Sequence, residues 1–100
     1  MASTYYDYDA YIKPTADDAG KAVQEMMTDL ERECGDADRI FCYVVIGGYI
    51  IKSAEAQRFI QSQPDLGHKI RAHTDEYLRT KPQLCGILFD VSALLTRLGF

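Results

Sequence analysis

The stretch Phe41–Ser53, FCYVVIGGYIIKS, decides the fold, because it contains almost no polar side chains and has two adjacent glycines at its centre. A half-buried strand alternates apolar with polar residues, and this stretch does not. Two glycines between β-branched runs are typical of a two-residue hairpin turn, since primed turns need the positive φ that glycine adopts without steric cost. The stretch therefore predicts two short strands that pair across Gly47 and Gly48.

Pairing across this turn assigns the side chains to two sheet faces, because directly opposed residues share a face. The first face holds Cys42, Val44, Ile46, Tyr49 and Ile51. The second face holds Phe41, Tyr43, Val45, Ile50 and Lys52. Lysine is costly to bury, so we expect the second face to be open to solvent.

The N-terminal third of the chain predicts a strand followed by a helix. Apolar and polar residues alternate through Thr4–Ile12, which favours a strand, and Pro14 ends it. Thr15 is suited to cap the helix that follows, from about Ala16 to Cys34. Apolar residues recur in this helix at steps of three and four, which is the spacing of one buried helix face.

The C-terminal half predicts helical structure and then one buried strand. Ser53 is suited to cap a helical region over residues 54–80, which Pro64 interrupts and Pro82 ends. Leu84–Val91 is a short apolar run, which is typical of a buried strand.

The resulting order is strand, helix, strand, strand, helix, strand, which is the split βαββαβ pattern of ferredoxin-like folds. We therefore expect an α+β fold with a four-stranded antiparallel sheet and both helices on one face. A chain of 100 residues is long enough for one modest core, so residues 1–100 are expected to form a single domain.

Charge is distributed unevenly along the chain. The net charge is −4, but residues 1–40 carry −6 and residues 41–100 carry +2. Direct nucleic-acid binding is disfavoured, because it requires clustered lysine and arginine to neutralise phosphates. The asymmetry instead favours another protein with a basic surface as partner, or association between copies of the chain.

Hydropathy and cysteine usage predict a cytoplasmic protein. No apolar run approaches the roughly 20 residues that a membrane helix needs, and no membrane partner is expected. Three cysteines without a C-x-x-C motif fit neither a disulfide framework nor a zinc site. We expect reduced thiols.

The sequence shows no catalytic or metal-binding constellation, so an enzyme is disfavoured and no cofactor is expected. His68 and His73 are spaced by five residues, which on a helix does not bring them to one metal ion. Cys34 at a helix C-terminus faces the negative end of the helix dipole, which does not activate a thiol. Cys42 and Cys85, in predicted strands, are interpreted as small hydrophobic residues.

The leading hypothesis is a small interaction module of adaptor or inhibitor type. It would bind its partner, for instance a basic nucleic-acid-binding protein, through the Tyr/Asp-rich first strand and the open sheet face. The predicted contact residues are Tyr5, Asp7, Asp9, Tyr11, Phe41, Tyr43, Val45, Ile50 and Lys52. A second predicted surface is the acidic outer face of the first helix, with Asp17, Asp18, Glu25 and Asp29.

Two alternatives stay open at this point. One is a small dimeric ferredoxin-like enzyme or ligand-binding domain, with a pocket between sheet and helices lined by Tyr49, His73 and Tyr77. The other is a structural subunit of a larger assembly.

Overall fold

The computed structural model describes residues 19–100, and in this range the chain forms five helices and no strand. The helices are α1 (Ala19–Glu33), α2 (Asp36–Lys52), α3 (Ala54–Ser62), α4 (Pro64–Thr80) and α5 (Ile87–Arg97). The predicted α+β ferredoxin-like fold with its four-stranded sheet is therefore wrong. The predicted hairpin lies within α2, and most of the predicted strand Leu84–Val91 lies within α5. The predicted first strand, Thr4–Ile12, lies outside the described residues.

Helix α2 is the centre of the fold, and α1, α3 and α5 all pack against it. Its buried residues are Cys42, Tyr43, Val45, Ile46, Gly47, Tyr49 and Ile50. They occupy more than half of the helix circumference, while Phe41 and Lys52 lie on the remaining, exposed side. A helix with so wide an apolar face is typical of a protein core. This burial explains why the stretch does not alternate, and it outweighs the preference of its valines and isoleucines for strands.

The two glycines of α2 serve helix packing and form no turn. Both lie in the middle of the helix, and the glycine with positive φ in the described chain is Gly99. A Cβ added to Gly47 would lie 2.5 Å from Val91 Cγ2 on α5, whereas one added to Gly48 would lie 3.6 Å from Ile87 Cδ1. Only hydrogen at Gly47 lets α5 approach α2 this closely.

The break between α2 and α3 was partly predictable. The Ser53 hydroxyl accepts the backbone N–H of the third residue of α3 at 3.1 Å, so its predicted capping role is confirmed. The Gln57 amide donates to the carbonyls of Ile50 and Ile51 at 3.0 and 3.2 Å. These bonds satisfy carbonyls that the end of α2 leaves without helical partners. Pro64 begins α4, which confirms the predicted interruption.

The outer helices complete the core with apolar faces and close contacts at glycine. The predicted stripe of α1 is confirmed, because Val23, Met26, Met27, Leu30 and the adjoining Cys34 are all buried. The ring of Phe59 on α3 packs over Gly20 of α1, and the ring of Phe100 packs over Gly67 of α4. Between α4 and α5, the Arg71 guanidinium donates to the Ser92 carbonyl at 2.9 Å.

Alanine substitution at the two glycines of α2 should have opposite effects. Gly47→Ala forces a methyl group against Val91, and overpacking of this kind lowers the free energy of unfolding by about 1 to 3 kcal/mol. Gly48→Ala adds a methyl at ordinary contact distance and improves helix propensity, so we expect a gain of up to about 1 kcal/mol. Urea denaturation of both variants measures the difference. Equal effects would contradict the packing described for α2 and α5.

Candidate functional site

Polar and thiol side chains concentrate where α1, α2 and α4 meet, a region called here the α1–α2–α4 junction. It comprises Glu31, Cys34, Cys42, Tyr43, His73, Thr74 and Tyr77. The buried side chains elsewhere in the described residues are mostly apolar, whereas Thr74, at the junction, is buried and polar. The junction is therefore the part of the core whose chemistry differs from simple packing.

Tyr43 lies at the centre of the junction and has no exposed surface. Its hydroxyl donates to the Ile70 carbonyl at 2.5 Å. The Thr74 hydroxyl lies 3.1 Å from the Tyr43 hydroxyl and 2.8 Å from the same carbonyl, and its single proton serves one of them at a time. Burial raises the pKa of the Tyr43 phenol far above its ordinary value, while the hydrogen bond from Thr74 opposes the shift.

His73 and Tyr77 both pack against Tyr43. Their ring centroids lie 6.1 and 5.6 Å from that of Tyr43, and the Tyr77 ring meets it edge-on. His73 Nε2 lies 3.9 Å from a Glu31 carboxylate oxygen, which Lys69 also approaches at 3.3 Å. The ring contacts join α4 to α2, and the contacts with Glu31 link α4 to α1 at the surface, where ion pairs add little stability.

The structure brings together two of the three predicted pocket residues, His73 and Tyr77. The third, Tyr49, is buried further along α2. Six residues of helix separate it from Tyr43 by about 9 Å along the axis. The pocket between sheet and helices is wrong as predicted, because the described residues form no sheet. Burial raises the pKa of Tyr77, and the positive charge of Arg39 opposes this shift.

Two cysteines meet at the edge of the junction, and the sequence analysis missed this pair. Cys34 follows α1 and Cys42 lies in the second turn of α2. Their Sγ atoms are 3.2 Å apart, and both side chains are buried. The predicted structure placed Cys34 at a helix end and Cys42 in a strand, so it predicted no contact between the two side chains. The signal that could have revealed the pair is a Cys-Gly connection between two helices, with a second cysteine eight residues after the first.

The joint between α1 and α2 is also acidic, and its five carboxylates are together called here the acidic corner, although Glu31 faces α4 while Asp29 and Glu33 share Arg32. It comprises Asp29, Glu31, Glu33, Asp36 and Asp38. Arg32 lies 3.2 Å from Asp29 and 3.5 Å from Glu33, while Arg39 donates from Nε to the Cys34 carbonyl at 3.0 Å. Five carboxylates and two guanidinium groups leave residues 29–39 with a net charge of −3.

The predicted partner surface is wrong as drawn, because it required strands and the described residues have none. Tyr43, Val45 and Ile50 are core residues, whereas Phe41 is 45% exposed and Lys52 is exposed at the end of α2. The remaining predicted contact residues, Tyr5, Asp7, Asp9 and Tyr11, lie outside the described residues. So do Asp17 and Asp18 of the predicted acidic face. On α1, Glu25 is exposed and Asp29 is half-buried beside Arg32.

Comparison of the chain with protein-family models, curated protein sequences and solved structures finds no match. Within residues 19–100, no group of three or more histidine, cysteine or acidic side chains is placed to hold a metal ion. In the same range, no helix is both long and apolar enough to cross a membrane. Functional inference therefore depends on the thiol pair, the Tyr43 network and the acidic corner.

Replacing Tyr43 by phenylalanine should reduce stability and also change its pH dependence. Removing the hydroxyl costs about 1 kcal/mol at neutral pH. Because burial raises the Tyr43 pKa, the folded protein keeps this proton at pH values where the unfolded chain loses it, above about pH 10. The contribution is therefore complete below about pH 10 and is lost as the pH rises.

Urea denaturation between about pH 9 and 12 tests this expectation, since the free energy of unfolding should fall less steeply with pH in Tyr43→Phe than in the wild type. Tyr77→Phe is the comparison variant. Burial also raises the Tyr77 pKa, but this side chain is more exposed than Tyr43, so its removal should change the pH profile less. Parallel pH profiles for wild type and Tyr43→Phe would show that the buried phenol does not contribute as described.

Proposed function

We propose that this protein binds a basic surface of another protein through the acidic corner. The observation that supports the proposal is the concentration of charge at one joint of the fold. Five carboxylates lie within the ten residues 29–38, while residues 41–100 carry a net charge of +2. The partner surface that this arrangement suits is one rich in lysine and arginine.

The carboxylates of the acidic corner are not equally open to a partner, since Asp29 and Asp38 are half-buried and Glu31 lies 3.3 Å from Lys69. Glu33 and Asp36 are exposed, and Arg32 is shared between Asp29 and Glu33. Exposed charges stay hydrated, so each contact with a partner adds little energy. Their combined field accelerates association with a complementary surface and excludes acidic ones. Such binding weakens as salt is added, since the Debye length is about 8 Å at physiological ionic strength.

The acidic face predicted on the first helix runs into this corner. Glu25, Asp29 and Glu33 follow one another at four-residue steps on α1, which places them along one side of the helix. Asp17 and Asp18 precede α1 and are proposed to belong to the same surface. The proposed location is the cytoplasm.

A second copy of this chain is an alternative partner for the same surface. The positive charge of residues 41–100 would then meet the acidic corner of a neighbouring copy. Association of this kind predicts an apparent mass that falls as salt is added. Sedimentation at low and high ionic strength distinguishes it from binding to a different protein.

Charge reversal at the acidic corner should weaken binding to a basic probe. The double variant Glu33→Lys, Asp36→Lys is compared with Asp65→Lys, Asp90→Lys, which changes net charge equally and places both substitutions in the first turns of other helices. Titration with an arginine-rich peptide at low salt should show at least about tenfold weaker binding for the first variant, as expected for lost close charge pairs. The control should bind like the wild type.

Two results would contradict the proposal. Equal weakening in both variants would mean that the peptide senses only net charge. No measurable binding by the wild type at low salt would mean that the acidic corner does not recruit basic partners.

A further inference from the structure

Cys34 and Cys42 are held side by side by the way α1 turns into α2. Only Cys34 and Gly35 separate the two helices, so the chain reverses within two residues and returns past Cys34. The Arg39 side chain donates to the Cys34 carbonyl at 3.0 Å, and the Arg39 backbone N–H donates to the Gly35 carbonyl at 2.8 Å. These two bonds fix the position of Cys34 relative to the first turn of α2.

The distance between the two sulfur atoms is suited to bond formation. Their separation is 3.2 Å, and a disulfide requires about 2.0 Å, so an approach of about 1.2 Å completes the bond. Cys34 directly follows α1. A Cβ added to Gly35 would meet nothing within 4 Å, so no neighbouring atom crowds the joint at this residue.

Cys85 provides an internal comparison, because it is also buried but lies elsewhere. It is located between α4 and α5, away from the α1–α2 joint in sequence. Burial raises the pKa of its thiol, which lowers its reactivity toward oxidants. Among the three cysteines, Cys34 and Cys42 contact each other, and Cys85 does not belong to this pair.

We infer that Cys34 and Cys42 form a dithiol site that a peroxide converts into an intramolecular disulfide. In the first step, one thiol transfers its sulfur electron pair to a peroxide oxygen, which gives a sulfenic acid and releases one water from hydrogen peroxide. In the second step, the other thiol attacks that sulfur and releases a second water as the S–S bond forms. Two thiols are thereby oxidised, one peroxide is reduced, and a dithiol reductant reverses the reaction.

The disulfide would join the end of α1 to the second turn of α2 across the acidic corner. It would restrict the positions of the Asp36 and Asp38 carboxylates, because these two residues lie between the two cysteines. The inference itself does not depend on partner binding at this corner. Disulfide formation is measured on the protein alone.

The test exposes the reduced full-length protein to a modest excess of hydrogen peroxide and then blocks remaining thiols with a maleimide in denaturant. Mass spectrometry should show that the protein has lost two hydrogens and has gained one maleimide label, which is located on Cys85. The peptides that contain Cys34 and Cys42 should be linked to each other. A dithiol reductant should restore three maleimide labels. Cys85→Ser should form the same link, and Cys34→Ser and Cys42→Ser should lose it.

Three outcomes would overturn the inference. The first is that all three cysteines remain labelled after the same peroxide has fully oxidised glutathione in a parallel sample. The second is that links to Cys85 form as readily as the Cys34–Cys42 link. The third is that Cys34 or Cys42 proceeds to sulfinic acid without forming a disulfide. The wild-type measurement decides among these results even where a cysteine variant fails to fold.

Discussion

The close approach of α5 to α2 at Gly47 is the constraint on which the rest of the described structure depends. More than half of the circumference of helix α2 is apolar and buried, so it needs neighbours on several sides, while Phe41 and Lys52 lie on its exposed side. Val91 of α5 covers the side that carries Gly47, and α1 and α3 cover others. Each outer helix is amphipathic and short. The contacts that bury α2 therefore also stabilise the outer helices.

Polar side chains are buried in this core only where they have hydrogen-bond partners. The Tyr43 hydroxyl and Thr74 share the Ile70 carbonyl, so burying them leaves no hydrogen-bonding group without a partner. The same region contains the Cys34–Cys42 contact and lies beside the acidic corner. The α1–α2 joint thus combines a contacting thiol pair inside with acidic side chains outside, and both lie at a connection only two residues long.

Local signals in the sequence predicted those elements whose physics is local. The apolar stripe of α1, the Ser53 cap and the break at Pro64 follow from spacing, capping and the geometry of proline. The stretch from Phe41 to Ser53 was misjudged, because a fully buried strand and a fully buried helix both lack periodicity. Two glycines then favoured a turn, and only the position of Val91 on another helix shows their packing role. The thiol pair was missed for the same reason, since it exists only once Cys34 and Cys42 belong to consecutive helices.

Hydrogen exchange at the backbone amides of Gly47 and Gly48 tests the central claim most directly. In a buried helix these amides donate to carbonyls four residues earlier and exchange as slowly as their neighbours from Tyr43 to Ile51. In a hairpin the same two residues form the turn and exchange rapidly between protected strands. The account predicts continuous protection through both glycines. Rapid exchange confined to Gly47 and Gly48 would contradict it.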